Sequence, residues 1–262
     1  MHILDVEDLF ISFRGLTALN GISFSVEEGE IFGLIGTNGS GKSTFFNCVN
    51  RLYKPQKGRI IYKEKINLLR QRSHRIPELG IARTFQNLEL FHYTKVLENI
   101  MVGLHPRLKV RRLFKHLSPK AFNAEWEWGR NEAFRILDFL GITRFHGRVV
   151  SSLPYGLQKL IELGRALAAR PDMLLLDEPS AGMNDQESRE IARMIKSIRE
   201  DYGTTVLLVE HDMNLVQSIC DRLCVLDSGN IIKIGKPDEV TKDPEVLKIF
   251  LGEETDAQAG RH

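Results

Sequence analysis

Cysteine is scarce in this chain, three residues in 262. Cys220 and Cys224 stand one helical turn apart, yet no second pair and no nearby histidine completes a zinc site. The expectation is three reduced thiols in an intracellular protein. No apolar run approaches the ~20 residues that a membrane-spanning helix needs. The opening Met1-His2-Ile3-Leu4-Asp5 lacks a basic stretch ahead of an apolar one, and so lacks the pattern of a secretory signal. Neither sign of charge dominates: 36 Lys and Arg against 34 Asp and Glu leave a net +2. That balance offers no bulk attraction for nucleic acid. No internal repeat is visible. What the chain does have is 42% hydrophobic and 27% charged residues, which excludes a disordered chain and suffices for a core of one or two domains. Any role at a membrane must then come through a partner.

The first third alternates strand-like and turn-like text. Val6 to Phe13 reads as a strand, and Asn20-Gly21 as a hairpin turn. Ile22, Phe24 and Val26 alternate with Ser23 and Ser25, which predicts a half-buried strand. Ile31 to Ile35 is almost wholly apolar, as expected of a parallel strand covered on both faces. A helix is expected from about Gly41 to Leu52, and a strand over Arg59 to Tyr62. From Pro77 to Leu140 the text reads as mostly helical, with a helix over Ala121 to Leu140. Between His105 and Lys120 lie six Lys and Arg and no acid. Leu104, Leu108, Leu113 and Leu117 give that stretch one apolar side. A basic amphipathic face of this kind is most often solvated, and beside a membrane partner it would be drawn to anionic lipid. The last third returns to α/β. Strands are expected over Met173 to Leu176 and Thr204 to Val209, and a helix over Gln186 to Glu200. A hairpin is expected around Asp227-Ser228-Gly229-Asn230. The reading is one domain over residues 1–252, with helices of about 87–165 inserted into an α/β core, and a polar tail over 253–262.

Gly36-Thr37-Asn38-Gly39-Ser40-Gly41-Lys42-Ser43 fits G-x-x-x-x-G-K-[ST] in full, between a buried strand and a helix. Glycines let the backbone curl so that successive N–H groups point at one phosphate, and the helix N-terminus adds a favourable dipole. Lys42 supplies a point charge for β- and γ-phosphates. Ser43 supplies a hydroxyl for Mg²⁺. These eight residues and Thr44 are the candidate nucleotide site. Met173 to Leu176 runs into Asp177-Glu178, and strand ends of such sheets face the ligand crevice. Asp177 is the candidate Mg²⁺ ligand, directly or through water. Glu178 is the candidate general base for an attacking water.

Ser151-Ser152-Leu153-Pro154-Tyr155-Gly156-Leu157-Gln158 opens a helix shortly before that strand. This order resembles the ATP-binding-cassette (ABC) ATPases across nearly the whole chain. The resemblance implies an α/β fold, the ABC ATPase fold: a RecA-like parallel-sheet core, an antiparallel β subdomain and a helical subdomain. It implies ATP and Mg²⁺ as ligands. Phe13 matches the aromatic that stacks on adenine. Gln86 in Arg83-Thr84-Phe85-Gln86-Asn87 matches the glutamine that senses Mg²⁺ and water. Ser180 to Asn184 match the loop that crosses the dimer interface, and His211 matches the γ-phosphate histidine. The signature departs from Leu-Ser-Gly-Gly-Gln. Pro154 has no hydroxyl, so the site is carried over on Gly156 and the backbone N–H groups that follow.

Finer text resembles the ATPase subunit of high-affinity branched-chain amino-acid importers: Gly80 to Gln86, Val96-Leu97-Glu98-Asn99, Glu210-His211-Asp212-Met213, and the close from Gly235 to Gly252. The resemblance implies two membrane-spanning permease subunits as partners and a second ATPase subunit, the same chain or a paralogue. It also implies a solute-binding protein acting indirectly, no nucleic acid, and a peripheral place on the cytoplasmic face of the inner membrane. An exporter ATPase of lipopolysaccharide-transport type shares most of these motifs, but Glu210 to Met213 and the closing segment favour the importer. Soluble ABC proteins of DNA repair or translation usually carry coiled-coil or tandem-cassette text, which this chain lacks. The resemblance implies that specificity for the transported molecule belongs to the permeases and the solute-binding protein. Leu88 to Tyr93 is unusually apolar for a loop, and Leu90 and Phe91 are expected as exposed anchors for a helix of the membrane subunit.

Overall fold

The structure is a computed structural model that describes residues 1–85, 88–108 and 119–250. Three strands with unbroken apolar text make its centre: β3 (Ile31–Gly36), β7 (Met173–Asp177) and β8 (Thr205–Val209), each buried at every position. Alternate residues serve different cores, which is why no polar residue interrupts them. Ile31, Ile35, Leu174, Leu176, Val206 and Leu208 pack toward helices on one face. Phe32, Leu34, Met173, Leu175, Leu207 and Val209 pack on the other. With β6 (Ile81–Arg83), β9 (Arg222–Asp227) and β10 (Asn230–Gly235) they form one sheet in the order β10-β9-β3-β8-β7-β6. The central pairings are parallel and β9-β10 is an antiparallel hairpin. Its turn, with Ser228 at φ 47° and Gly229 at φ 78°, falls where the sequence placed it.

The second sheet is antiparallel: β1 (His2–Phe13), β2 (Leu16–Glu27), β4 (Lys57–Tyr62) and β5 (Ile66–Asn67), in the order β2-β1-β4-β5. Between the two sheets lies α1 (Lys42–Val49), whose Phe45, Phe46 and Val49 are buried among Ile3, Leu9, Ile22 and Phe32. The expected hairpin at Asn20-Gly21 is wrong. The chain turns at Arg14-Gly15, and Gly21, at φ 69°, lies inside β2. There the register slips from Leu9↔Ile22 to Phe10↔Asn20. The same left-handed preference that favours a turn is used for a bulge. It turns Asn20 toward the other sheet, where its N–H donates to Gly229 O at 2.8 Å.

The far face carries α2 (Val96–Gly103), α3 (Pro119–Phe139), α4 (Tyr155–Ala168), α5 (Asp185–Tyr202), α6 (Met213–Ile219) and the short α7 (Pro237–Val240). Helices α2, α3 and α4 share a core of Ile100, Leu104, Ile136, Leu137 and Leu167. A Cβ on Gly103 would collide with the carbonyl of Arg165, so α2 and α4 touch backbone to backbone. Helix α5 begins at Asn184, whose side chain accepts from Gln186 and Glu187, and ends at Gly203 with φ 64°. The expectation of mostly helix over 77–140 needs correction. Ile81–Arg83 is the edge strand β6, paired with β7 as Ile81↔Met173. The basic stretch 109–118, with Leu113 and Leu117, lies outside the described residues, as does the tail from 251. Cys48, Cys220 and Cys224 are all free and buried.

Candidate functional site

Register brings the candidate residues to one edge of the large sheet. Leu34 of β3 pairs with Val209 of β8, and Val209 pairs with Asp177 of β7. The strand ends carrying Gly36, Glu210-His211 and Asp177-Glu178 therefore sit level, at the carboxyl edge where α/β sheets bind ligands.

The loop from Gly36 to Gly41 joins β3 to α1. At Gly36 a Cβ would collide with the carbonyl oxygen of Leu226, and at Gly41, φ 111°, with that of Ala18. Glycine is required at both by close backbone approach. The loop is braced from outside. Thr37 Oγ1 donates to Asp227 at 3.1 Å, and Gly229 N donates to Ser40 O at 3.0 Å. Asn38 and Gly39 are exposed, Ser40 is buried. Gly41 is the N-cap of α1 and supplies no side-chain cap, so the helix opens with its own N–H groups. Lys42 is buried, and its ammonium donates to the carbonyls of Gly36 and Thr37, both at 2.7 Å. Ser43 is exposed and Thr44 half-buried at the same helix end.

Asp177 is buried and paired with the buried Arg83, whose Nη2 donates to Oδ2 at 2.8 Å. Glu178 is half-buried and adopts φ 48°. A left-handed backbone at a bulky non-glycine residue is strained, a condition that concentrates at functional sites. Glu178 N is held by Val209 O at 2.9 Å and its carbonyl by Ala181 N at 3.1 Å. His211 has an exposed ring, while its backbone N–H donates to the fully buried Glu210 at 3.1 Å.

Two expected residues stand apart from this edge. Phe13, at the end of β1, is partly exposed and packs edge-on against Tyr53, with ring centroids 5.0 Å apart. Gly156 sits in the first turn of α4 against α5: a Cβ there would lie 3.4 Å from Glu187 Oε1. Its neighbour Tyr155 approaches Gly182 of the loop between β7 and α5. Gln86 lies outside the described residues.

Sequence reasoning missed two buried acids. Glu162 of α4 accepts the N–H of Phe85 at 3.1 Å. Burial pushes its carboxyl above the usual range, opposed by that N–H bond and by Lys159. An acid between Ile161 and Leu163 on a buried helix face was the available signal. Glu210 binds Ser180 as well as His211. On α4, Arg165 has its guanidinium pKa lowered by burial and donates to the carbonyl of Glu89.

A family model described as ABC transporter matches residues 19–181. The chain is 38% identical over 251 residues to the high-affinity branched-chain amino acid transport ATP-binding protein LivG of Salmonella typhimurium, covering 96% of this chain and 98% of that one. It is 38% identical over 252 residues to the corresponding protein BraF of Pseudomonas aeruginosa, with 96% and 98% covered. Among solved structures, an ATP-binding cassette of an ABC transporter in its ADP conformation superposes with a TM-score of 0.81 at 31% identity, covering 96% of this chain and 99% of that one. The sheet-edge phosphate loop, the acid pair beside it and these likenesses converge: the chain belongs to the ABC transporter ATP-binding family and is an ATPase.

Proposed function

We propose that this ATPase energises an importer of branched-chain or chemically related amino acids. The observation that carries the substrate class is the 38% identity to LivG and BraF over nearly the full length of all three chains.

Each site residue has a part in hydrolysis. Gly36 to Gly41 and the opening N–H groups of α1 cradle the phosphates, with Lys42 turning from its loop carbonyls to the β- and γ-oxygens. Ser43, Asp177 and Gln86 would hold Mg²⁺. Among the described residues no three His, Cys, Asp or Glu side chains are grouped to bind a metal alone. A hydroxyl, a carboxylate and an amide carbonyl form an all-oxygen donor set, which fits a hard cation such as Mg²⁺. When bound, the ion neutralises charge on the phosphate oxygens. Glu178 accepts the proton of the attacking water, and His211 contacts the γ-phosphate. Phe13 stacks on the adenine. Gly156, which packs against Glu187 of α5, serves the ATP of a second subunit through the backbone N–H groups that open α4.

No helix of the described residues is long and apolar enough to cross a membrane. We assign the peripheral placement at the cytoplasmic face of the inner membrane to contact with permease subunits. An open cleft of about 740 Å³ between β6 and the inserted helices, lined by Phe85, Phe91, Val102, His105 and Arg165 among others, is the surface we assign to them. The decisive experiment compares two variants. Lys42→Ala is expected to lose ATP binding and turnover together. Glu178→Gln is expected to keep ATP, lose turnover and accumulate a closed dimer on size-exclusion chromatography with ATP. Turnover at the wild-type rate in Glu178→Gln overturns the assignment of the base. Uptake of labelled leucine by the assembled transporter tests the substrate class.

A further inference from the structure

We propose that Arg83 is a positioning residue for the metal-binding carboxylate. It fixes the orientation of Asp177 and ties it to the phosphate-loop helix. This rests on the reading of Asp177 as a Mg²⁺ ligand.

Arg83 ends β6, and its register partner is Leu175, two residues before Asp177. The two side chains are 6% and 3% exposed. Nη2 donates to Asp177 Oδ2 at 2.8 Å, and Nη1 donates to Asn47 Oδ1 of α1, also at 2.8 Å. The guanidinium carbon lies 5.2 Å from the ring centre of Phe46 and 4.9 Å from that of Phe85. A planar fork held by two acceptors and two rings has little freedom, so the carboxylate bonded to it is aimed through its other oxygen. The four contacts come from three pieces of the site: α1, the strand end bearing Asp177-Glu178, and Phe85, the residue before Gln86.

The arrangement is poorly suited to stability alone. A buried ion pair commonly gains little over apolar packing, and Arg83 Nε is buried with no hydrogen-bond partner among the described residues. As a device for orientation it is well placed, because groups behind a metal ligand set the ligand's direction.

The test uses the non-hydrolysable analogue adenylyl imidodiphosphate, titrated into the full chain with Mg²⁺ and again with EDTA. The ratio of Kd in EDTA to Kd with Mg²⁺ reads the metal's contribution without any turnover. Partners of metal ligands typically carry ~10–100-fold in metal affinity, so Arg83→Gln is expected to lower the ratio about tenfold while Kd in EDTA stays within about twofold. A merely structural Arg83 would move both Kd values together and leave the ratio. Asp177→Asn is the reference: if it leaves the ratio intact, the metal reading of Asp177 fails, and the proposal with it. If Asp177→Asn collapses the ratio and Arg83→Gln does not, the proposal alone is overturned. In the double variant Arg83→Gln should add nothing to Asp177→Asn, and an additive loss also overturns it. Should Arg83→Gln not fold, Arg83→Lys decides. It keeps a charge without the fork and is expected to lower the ratio at least about threefold, and an unchanged ratio overturns the proposal.

Discussion

Glu210 and Ser180 are joined twice: one oxygen of the fully buried carboxylate accepts the serine hydroxyl at 2.6 Å and the serine N–H at 2.9 Å. The other oxygen accepts the N–H of His211 at 3.1 Å. Ser180 lies two residues beyond Glu178, so one carboxylate at the end of β8 fixes the loops carrying both Glu178 and His211. Glu210→Ala leaves several buried donors without an acceptor. Hydrogen bonds to a charged group are worth ~1.5–3 kcal/mol, and stability is expected to fall by ~2–4 kcal/mol on urea unfolding. Ser180→Ala removes a single donor and should cost about half as much. An unchanged midpoint in Glu210→Ala would falsify this account of the brace between the two loops.

Phe13 is 41% exposed and braced at its edge by Tyr53. Stacking on an exposed ring reads only the π-face of a base. Phe13→Ala is therefore expected to weaken ATP and GTP alike, by the ~1–3 kcal/mol that a stacked base contributes. In the wild type GTP should compete within about tenfold. A preference for ATP of about a thousandfold, ~4 kcal/mol, would require polar readout of the base and sink the stacking model.

What was legible in the sequence was local. The phosphate loop is a contiguous spacing, and its register position at the sheet edge follows from the buried strand before it. Asp177-Glu178 is a strand end written in adjacent letters. Asn20-Gly21 misled because a left-handed pair is equally useful to a bulge, and only cross-strand register separates the two. Strand β6 has three residues, too short for any periodicity, and exists because Met173 to Leu175 offer it a parallel partner. The pairing of Arg83 with Asp177 spans 94 positions, and that of Ser180 with Glu210 spans 30. Contacts of that kind are set by topology and leave no pattern in one sequence.

All three thiols are pushed up by burial, Cys48 and Cys224 to about 12 from an ordinary 9.0. Cys220 is raised by burial first and then by Asp221. A folded-state pKa above the unfolded value means that the unfolded chain loses its protons first. Their contribution is fully present below pH 9 and is lost as pH rises toward 12. Each thiol steepens the fall by up to ~1.4 kcal/mol per pH unit. Urea unfolding at pH 8, 9 and 10 is expected to show stability dropping faster in the wild type than in Cys48→Ala/Cys224→Ala. Native thiols should also resist alkylation at pH 8 and react only on unfolding. Rapid labelling of the folded chain would contradict both expectations.

Leu90 and Phe91 were expected as a pair of exposed anchors, and the structure separates them. Leu90 is 7% exposed and belongs to the core shared with α2, whereas Phe91 is 51% exposed and lines the cleft assigned to the permease. The apolar run is divided because Leu90 packs into the core shared with α2 while Phe91 is turned to the cleft. The backbone of Phe91 is held on both polar atoms by the buried Asn99: its N–H donates to Oδ1 at 2.9 Å and its carbonyl accepts from Nδ2 at 3.1 Å. An exposed ring on a pinned backbone has already lost most of the freedom that docking would remove, which favours it as an anchor. The two truncations should therefore diverge. Leu90→Ala is expected to destabilise the isolated chain by ~2–4 kcal/mol, as core deletions do. Phe91→Ala should change stability by less than ~0.5 kcal/mol and leave basal ATPase intact. It should weaken co-purification with the permeases by about 30-fold or more, in line with the ~2–4 kcal/mol of a buried anchor, and stop transport. Thermal melts, ATPase assays of the isolated chain and affinity purification of the assembled transporter separate the cases. A stable Phe91→Ala subunit that assembles and transports normally would remove this residue, and with it the cleft, from the permease interface.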